Sequence, residues 1–216
     1  MQTIYCLSGL GANEKVFQFL DLSFAKPVFI QWLPPRQNET LRQYALRLKE
    51  EYITEPDPVI FGLSLGGMMA VEIAKVIPSS TAILISSAKT KKEIPFYLRM
   101  LLSTPVYKMV PEKVVRRSKK IQSYFLGAHL TSTKKYLRTT LEDLDIQFYR
   151  WALDALRTWK NDTVPSNVIH IHGTKDNLLP LKYVDADITV ENGGHLMIVE
   201  NAVEISACLK QIVCKN

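Results

Sequence analysis

Pro58-Val59-Ile60-Phe61-Gly62-Leu63-Ser64-Leu65-Gly66-Gly67-Met68-Met69 is the stretch that decides the fold. An apolar run from Pro58 to Phe61 enters Gly-x-Ser-x-Gly, and the chain leaves through Met68, Met69, Ala70, Val71, Ile73 and Ala74. That order reads as a buried strand, a sharp turn and a helix. A turn of this kind holds its serine in a strained backbone conformation with the hydroxyl exposed, a nucleophile elbow. Gly62 and Gly66 stand two residues either side of Ser64, where strand and helix nearly touch and a Cβ would clash. Leu65 opens the helix, so its N–H has no partner within the helix and points where an oxyanion would form. The plain alternative is an ordinary glycine-rich β-to-α turn carrying a surface serine.

Outward from this stretch, further short apolar runs occur at 3–7, 27–32, 81–86, 167–172 and 187–190. They are mostly continuous rather than alternating, as expected of strands covered on both faces of a parallel sheet. Leu41, Tyr44, Ala45, Leu48 and Tyr52 recur at helical spacing, with Asn38 or Thr40 as N-cap. Ile198, Ala202, Ile205, Leu209 and Ile212 describe one amphipathic closing helix. Strands separated by helices imply a doubly wound, mostly parallel six-stranded α/β sheet.

Between Ser87 and Ser166 the alternation breaks and no strand is expected. Ile94, Leu98, Leu101 and Leu102 suggest a helix cut by Pro105. Pro111 starts another, with Val114, Ile121 and Phe125 on one side, and a longer one runs from Leu141 through Leu144, Phe148, Ala152 and Ala155 to Trp159. Glu142, Asp143 and Asp145 at its start and Arg157 and Lys160 at its end suit the helix dipole. Residues 89–138 are expected to form a helical insertion above the sheet. This segment holds thirteen Lys or Arg against two acids, Glu93 and Glu112, about +11 in a chain of net charge +6. Either it is a solvated face or it meets an anionic partner. Nucleic acid is the wrong partner, because aromatic residues are not interleaved with the cations and no binding motif is present.

At 216 residues, 47% of them apolar, the chain suits a single domain over 1–216. No apolar run approaches the ~20 residues of a membrane span, and neither a signal peptide nor a transmembrane segment is expected. Cys6, Cys208 and Cys214 are odd in number and lack metal-type spacing. Unpaired thiols, buried in the case of Cys6 and Cys208, point to the cytoplasm.

A serine becomes a nucleophile only with a base in reach and a carboxylate to orient the base. Asp176, in His172-Gly173-Thr174-Lys175-Asp176, follows the fifth strand, and His195, in Gly193-Gly194-His195, follows the sixth. Parallel strands end at one edge, so Ser64, Asp176 and His195 should converge there. An ordinary imidazole titrates near ~6.5 and acts as a base at neutral pH. The plainer roles are a turn carboxylate for Asp176 and a loop histidine for His195. His170 and His172 share a strand face and invite a metal, but no third ligand of suitable spacing is nearby. Neither metal nor cofactor is expected.

These motifs, Gly62-Leu63-Ser64-Leu65-Gly66, His172-Gly173-x-x-Asp176 and Gly193-Gly194-His195, resemble those of the α/β-hydrolase superfamily over nearly the whole chain, with 89–138 where that superfamily carries its variable lid. The resemblance implies Ser64 as nucleophile, His195 as general base and then acid, and Asp176 as its orienter. Ser8-Gly9-Leu10-Gly11 is similar to the His-Gly-x-Gly oxyanion loop, with Ser8 in place of His, and implies Leu10 N–H as an oxyanion donor beside Leu65 N–H. The expected activity is that of a serine carboxylesterase or thioesterase. The basic lid would receive an acidic acyl-carrier protein or an anionic surface. The alternative is a ligand-binding regulator of slow turnover on the same fold. Met68 and Met69 are expected in the core or pocket wall. Tyr97, Leu101, Tyr107 and Phe125 would line a pocket or pack between lid helices, and His129 would touch substrate or lie in solvent.

Overall fold

The computed structural model describes residues 1–117, 126–127 and 130–214. Six parallel strands form one sheet: β1 (Thr3–Leu7), β2 (Lys26–Phe29), β3 (Val59–Leu63), β4 (Thr81–Ile85), β5 (Val168–Gly173) and β6 (Ile188–Val190), in the order β2-β1-β3-β4-β5-β6. Tyr5 aligns with Ile60, Phe61 with Ile83 and Ile83 with Ile169, so the central strands finish together. This is the doubly wound parallel sheet that the apolar runs imply.

Alternation along each strand builds two cores. Tyr5, Leu7, Ile60, Ala82 and Leu84 face helices α1 (Leu41–Tyr52), α2 (Leu65–Ala74) and α6 (Ile146–Thr158). Ile4, Cys6, Phe61, Ile83, Ile85 and Ile171 face a 3-10 helix (Glu14–Phe19) and helices α7 (Met197–Glu200) and α8 (Ala202–Val213). Thr40, not Asn38, caps α1: its hydroxyl accepts Gln43 N–H while the Gln43 side chain accepts Thr40 N–H, a capping box.

Two boundaries differ from expectation. The stretch 141–159 is not one helix, because α5 (Thr131–Glu142) ends at Glu142 and α6 starts afresh from Asp145, whose carboxylate caps the N–H groups of Gln147 and Phe148. Asp145 is thus a helix cap, whereas Glu142 closes the preceding helix. The closing helix is broken at Asn201 into α7 and α8. Between β4 and α5 lie α3 (Phe96–Ser103), a 3-10 turn (Pro105–Met109) and α4 (Glu112–Arg117). Ile121, Phe125 and His129 fall outside the described residues. Among the described residues, no helix is long and apolar enough to cross a membrane. Cys6 is buried, Cys208 half-buried and Cys214 exposed, all three unpaired, so the expected burial holds fully only for Cys6.

Candidate active site

The elbow between β3 and α2 places Ser64 at φ 51° and ψ −114°, a region that residues with a Cβ avoid. Its N–H donates to the Ile85 carbonyl (2.9 Å), and its own carbonyl accepts from Gly67 N–H (3.0 Å) and from the Ser87 hydroxyl (2.6 Å). Glycine is forced on both sides. A Cβ on Gly62 would lie 2.4 Å from the Gly66 carbonyl oxygen, and one on Gly66 would lie 2.3 Å from the Leu7 carbonyl oxygen. Gly62 therefore answers to the helix, as expected. Gly66 answers to the end of β1, a contact that local sequence does not reveal.

Ser64 is half-exposed, while Asp176 and His195 are buried. His195 Nε2 lies 3.0 Å from Ser64 Oγ, and His195 Nδ1 lies 2.7 Å from Asp176 Oδ2. A carboxylate can only accept, so Nδ1 carries the proton and Nε2 presents its lone pair to the serine hydroxyl. Asp176 Oδ1 accepts the N–H groups of Leu178 and Leu179, each at 2.8 Å. Burial pushes the Asp176 pKa up, but His195, His172 and these N–H donors outweigh it and hold the carboxyl below its ordinary range.

The loops carrying these residues are fastened backbone to backbone. A Cβ on Gly173 would sit 2.2 Å from the Gly193 carbonyl oxygen, and Lys175 N–H donates to that same oxygen (2.9 Å). Gly194 lies against Gly127, and Leu196 N–H donates to the Leu126 carbonyl (3.0 Å). The turn after β1 reaches Ser64 as well, since a Cβ on Gly9 would be 3.4 Å from Ser64 Cβ. Ala12 N–H closes that turn on Gly9 O (3.0 Å), Gly11 takes φ +72°, and the Ser8 hydroxyl donates to Ala12 O (3.1 Å). Leu10 lies within this turn and Leu65 is the first residue of α2.

His170 and His172 are fully buried, and His172 Nδ1 is 3.2 Å from His170 Nε2. Among the described residues, no group of three or more His, Cys, Asp or Glu is placed to hold a metal. His172 Nε2 faces the Leu179 carbonyl (2.7 Å) and Asp176 Oδ2 (3.4 Å) instead, a link that its motif position alone did not announce. Met68 and Met69 are core residues of the α1/α2 face. Tyr97 is half-buried against Tyr183, with their ring centroids 6.5 Å apart. Tyr107 donates to Asp154 on α6, and Leu101 is 68% exposed, so it does not wall a pocket. A cleft of about 190 Å³ opens beside the turn after β1, lined by Gly11, Ala12, Trp32, Leu33, Leu144 and Phe148 among others; Ser64, Asp176 and His195 are not on its wall.

The fold has many solved counterparts. An esterase from Thermogutta terrifontis superposes with a TM-score of 0.76 at 12% identity, over 100% of this chain and 90% of its own. A hydrolase from Pseudomonas aeruginosa PA01 gives 0.77 at 13%, over 98% and 89%. A hydrolase from Oleispira antarctica gives 0.73 at 12%, over 100% and 92%. At such identities the likeness is one of fold. No curated protein matches the sequence. The model of the alpha/beta hydrolase family matches residues 4–207, nearly the whole length, and the chain belongs to that family.

Proposed function

We propose that this protein is a serine hydrolase that cleaves carboxylic esters or thioesters through an acyl-enzyme on Ser64. The observation that carries this reading is the unbroken hydrogen-bonded line from Ser64 Oγ through the His195 ring to a buried, ionised Asp176. In the first half-reaction His195 Nε2 takes the Ser64 proton as Oγ attacks the acyl carbon, and the resulting imidazolium is stabilised by Asp176. The oxyanion rests on the N–H groups of Leu10 and Leu65. Collapse expels the alcohol or thiol, which takes the proton from His195. Water, activated by the same ring, then releases the acid. The strained Ser64 backbone holds Oγ out from the sheet edge without further rearrangement.

The esterase among the structural counterparts is in keeping with this chemistry. Residues 89–138 act in the reading as a lid. Lys92, Arg99 and Lys113 are exposed there, together with Phe96, Met100 and Leu101. Cations around an apolar stripe suit an anionic partner that delivers an acyl chain, such as an acidic carrier protein or an anionic surface. Unpaired cysteines fit a reducing compartment, the cytoplasm.

A fluorophosphonate probe tests the chemistry. Wild type should be labelled and should turn over p-nitrophenyl esters or acyl-thioesters. Ser64→Ala should lose the label and, by analogy with other serine enzymes, on the order of 10⁴-fold or more in kcat. Folded wild type that resists labelling would sink the proposal. Labelling followed by near-stoichiometric turnover and ligand-dependent partner binding would move it to the regulator class.

A further inference from the structure

We infer that His172 is a positioning residue for Asp176, and that His170 fixes the ring of His172 in the tautomer this task requires. The inference rests on the proposed hydrolase reading and deepens it. It starts from hydrogen-bond bookkeeping. The Leu179 carbonyl, 2.7 Å from His172 Nε2, can only accept, so Nε2 carries the proton. The proton that reaches Leu179 O also faces Asp176 Oδ2 at 3.4 Å. His172 Nδ1 is then a bare acceptor. It lies 3.2 Å from His170 Nε2, so that nitrogen must be the donor. Ser87 N–H also points at that nitrogen, from 3.4 Å, and this longer bond is given up when Nε2 donates to His172 instead. The assignment leaves two buried groups without partners, the His170 Nδ1 lone pair and the Ser87 N–H, and this is the cost of the shorter bond between the two rings.

The result is a closed ring of bonds around the carboxylate. His172 holds the carbonyl of Leu179, and Leu179 holds Asp176 Oδ1 through its N–H (2.8 Å). Oδ2 takes its hydrogen bond from His195, with His172 Nε2 3.4 Å away. The turn 176–179 cannot rotate without breaking the His172 bond, so the carboxylate stays aimed at His195 Nδ1. Both β5 rings are neutral. Burial lowers the pKa of His170 well below the ordinary imidazole value, helped by His172 and Lys89; burial also lowers that of His172, against the pull of Asp176. The other titratable group set against Asp176 is Tyr97. A neutral His172 sets no competing positive charge beside Asp176, so the imidazolium formed on His195 has the carboxylate to itself.

The test uses the full chain, whose four histidines make imidazole ¹⁵N NMR tractable. Two rings, assigned by His170→Gln and His172→Gln, should be neutral and protonated on Nε2 at neutral pH and take up a second proton only below the ordinary imidazole value. A His172 ring protonated on Nδ1, or one that titrates at or above the ordinary imidazole value, overturns the inference whether or not the protein is an enzyme. The kinetic arm compares His172→Phe, which keeps the ring but no donor, with His172→Gln, which restores an N–H at nearly the same reach. The Phe variant should lose about tenfold to a hundredfold in kcat with KM little changed, and its acid limb of kcat/KM should move to lower pH as a freed carboxylate stabilises the imidazolium less. The Gln variant should recover most of both. A Phe variant that melts earlier but keeps the wild-type kcat and acid limb makes His172 a core residue only, and overturns the positioning role. Absence of hydrolysis in wild type would count against the hydrolase reading, leaving the NMR arm to judge the tautomers.

Discussion

The C-terminal edge of the sheet and the helical layer between β4 and α5 are built by different means. At the edge, backbone meets backbone: Gly62 on Gly66, Gly66 on Leu7, Gly173 on Gly193. In the layer, side chains do the joining: Lys108 pairs with Asp154 on α6 and Arg116 donates to the carbonyls of Glu142 and Leu144, while Glu112–Arg116 and Arg138–Glu142 are pairs within single helices. Three large apolar residues of one short helix, Phe96, Met100 and Leu101, face solvent there. Backbone contacts this close leave no room for a Cβ and fix the loops that carry Ser64, Asp176 and His195, whereas exposed ion pairs add little stability and change easily. On the proposed reading this separates two tasks, with the chemistry on the tightly packed frame and selection of the acyl partner on a layer that can change without disturbing it.

The sharpest way to break that comparison is to substitute one residue in each region. Gly173→Ala puts a Cβ 2.2 Å from a backbone oxygen that has nowhere to go. Overpacking of this kind costs roughly 1–3 kcal/mol or more, and here it also pushes apart the loops of Asp176 and His195. Urea denaturation should show that loss together with a collapse of hydrolysis. Leu101→Ser, in the layer, should stay within about 0.5 kcal/mol of wild type. Equal effects for the two would erase the distinction.

How legible each region was follows the same line. Ser64, Asp176 and His195 could be found because a parallel sheet brings strand ends to one edge, so chain order and glycine spacing suffice. The strands β1, β3, β4 and β5 were visible because burial on both faces makes them continuous apolar runs, while the edge strands β2 and β6, only partly buried, stood out as short apolar runs between turn residues. The layer was not so readable. In α5 the buried positions include Thr133, Tyr136, Leu137 and Thr140, and threonines at core positions erase the apolar stripe that marks a helix. The break between α5 and α6 depends on Asp145 acting as a cap, which looks the same in sequence as a helix-dipole charge. The link from His172 to Leu179 depends on a turn that brings a carbonyl back beneath the ring, and its only signal was an unexplained pair of histidines on one strand face.

Acid titration sharpens the contrast from within the edge. His170 and His172 have folded pKa values below the unfolded imidazole value near ~6.5. The unfolded chain therefore binds more protons as pH falls below that value, and the stability these rings permit above pH 6.5 is lost progressively toward their folded values. Each ring contributes a slope of about 1.4 kcal/mol per pH unit at full effect. Asp176, with its pKa lowered, adds a loss of the same sign only below about pH 4. Glu93, raised by burial, works in the opposite direction above the ordinary carboxylate range. Denaturation midpoints between pH 7 and 5 should fall in wild type, and by less in His170→Gln, which removes one titrating ring. Identical slopes would place the titration elsewhere.

The smallest effect is expected from charge reversal on the layer. Lys92→Glu with Arg99→Glu alters two exposed side chains on and beside α3 and should leave folding within about 0.5 kcal/mol of wild type. Rim charges act mainly through encounter rate and salt dependence. For an acyl group carried on an acidic protein, kcat/KM should fall severalfold at low salt, and the gap between variant and wild type should close as ionic strength rises. For a small neutral ester it should not move. A carrier substrate indifferent to both the reversal and the salt would remove the anionic partner while leaving Ser64, His195 and Asp176 as they stand. A small ester affected equally would mean that the layer reaches into the chemistry, and that the frame and the layer are not the separate parts described above.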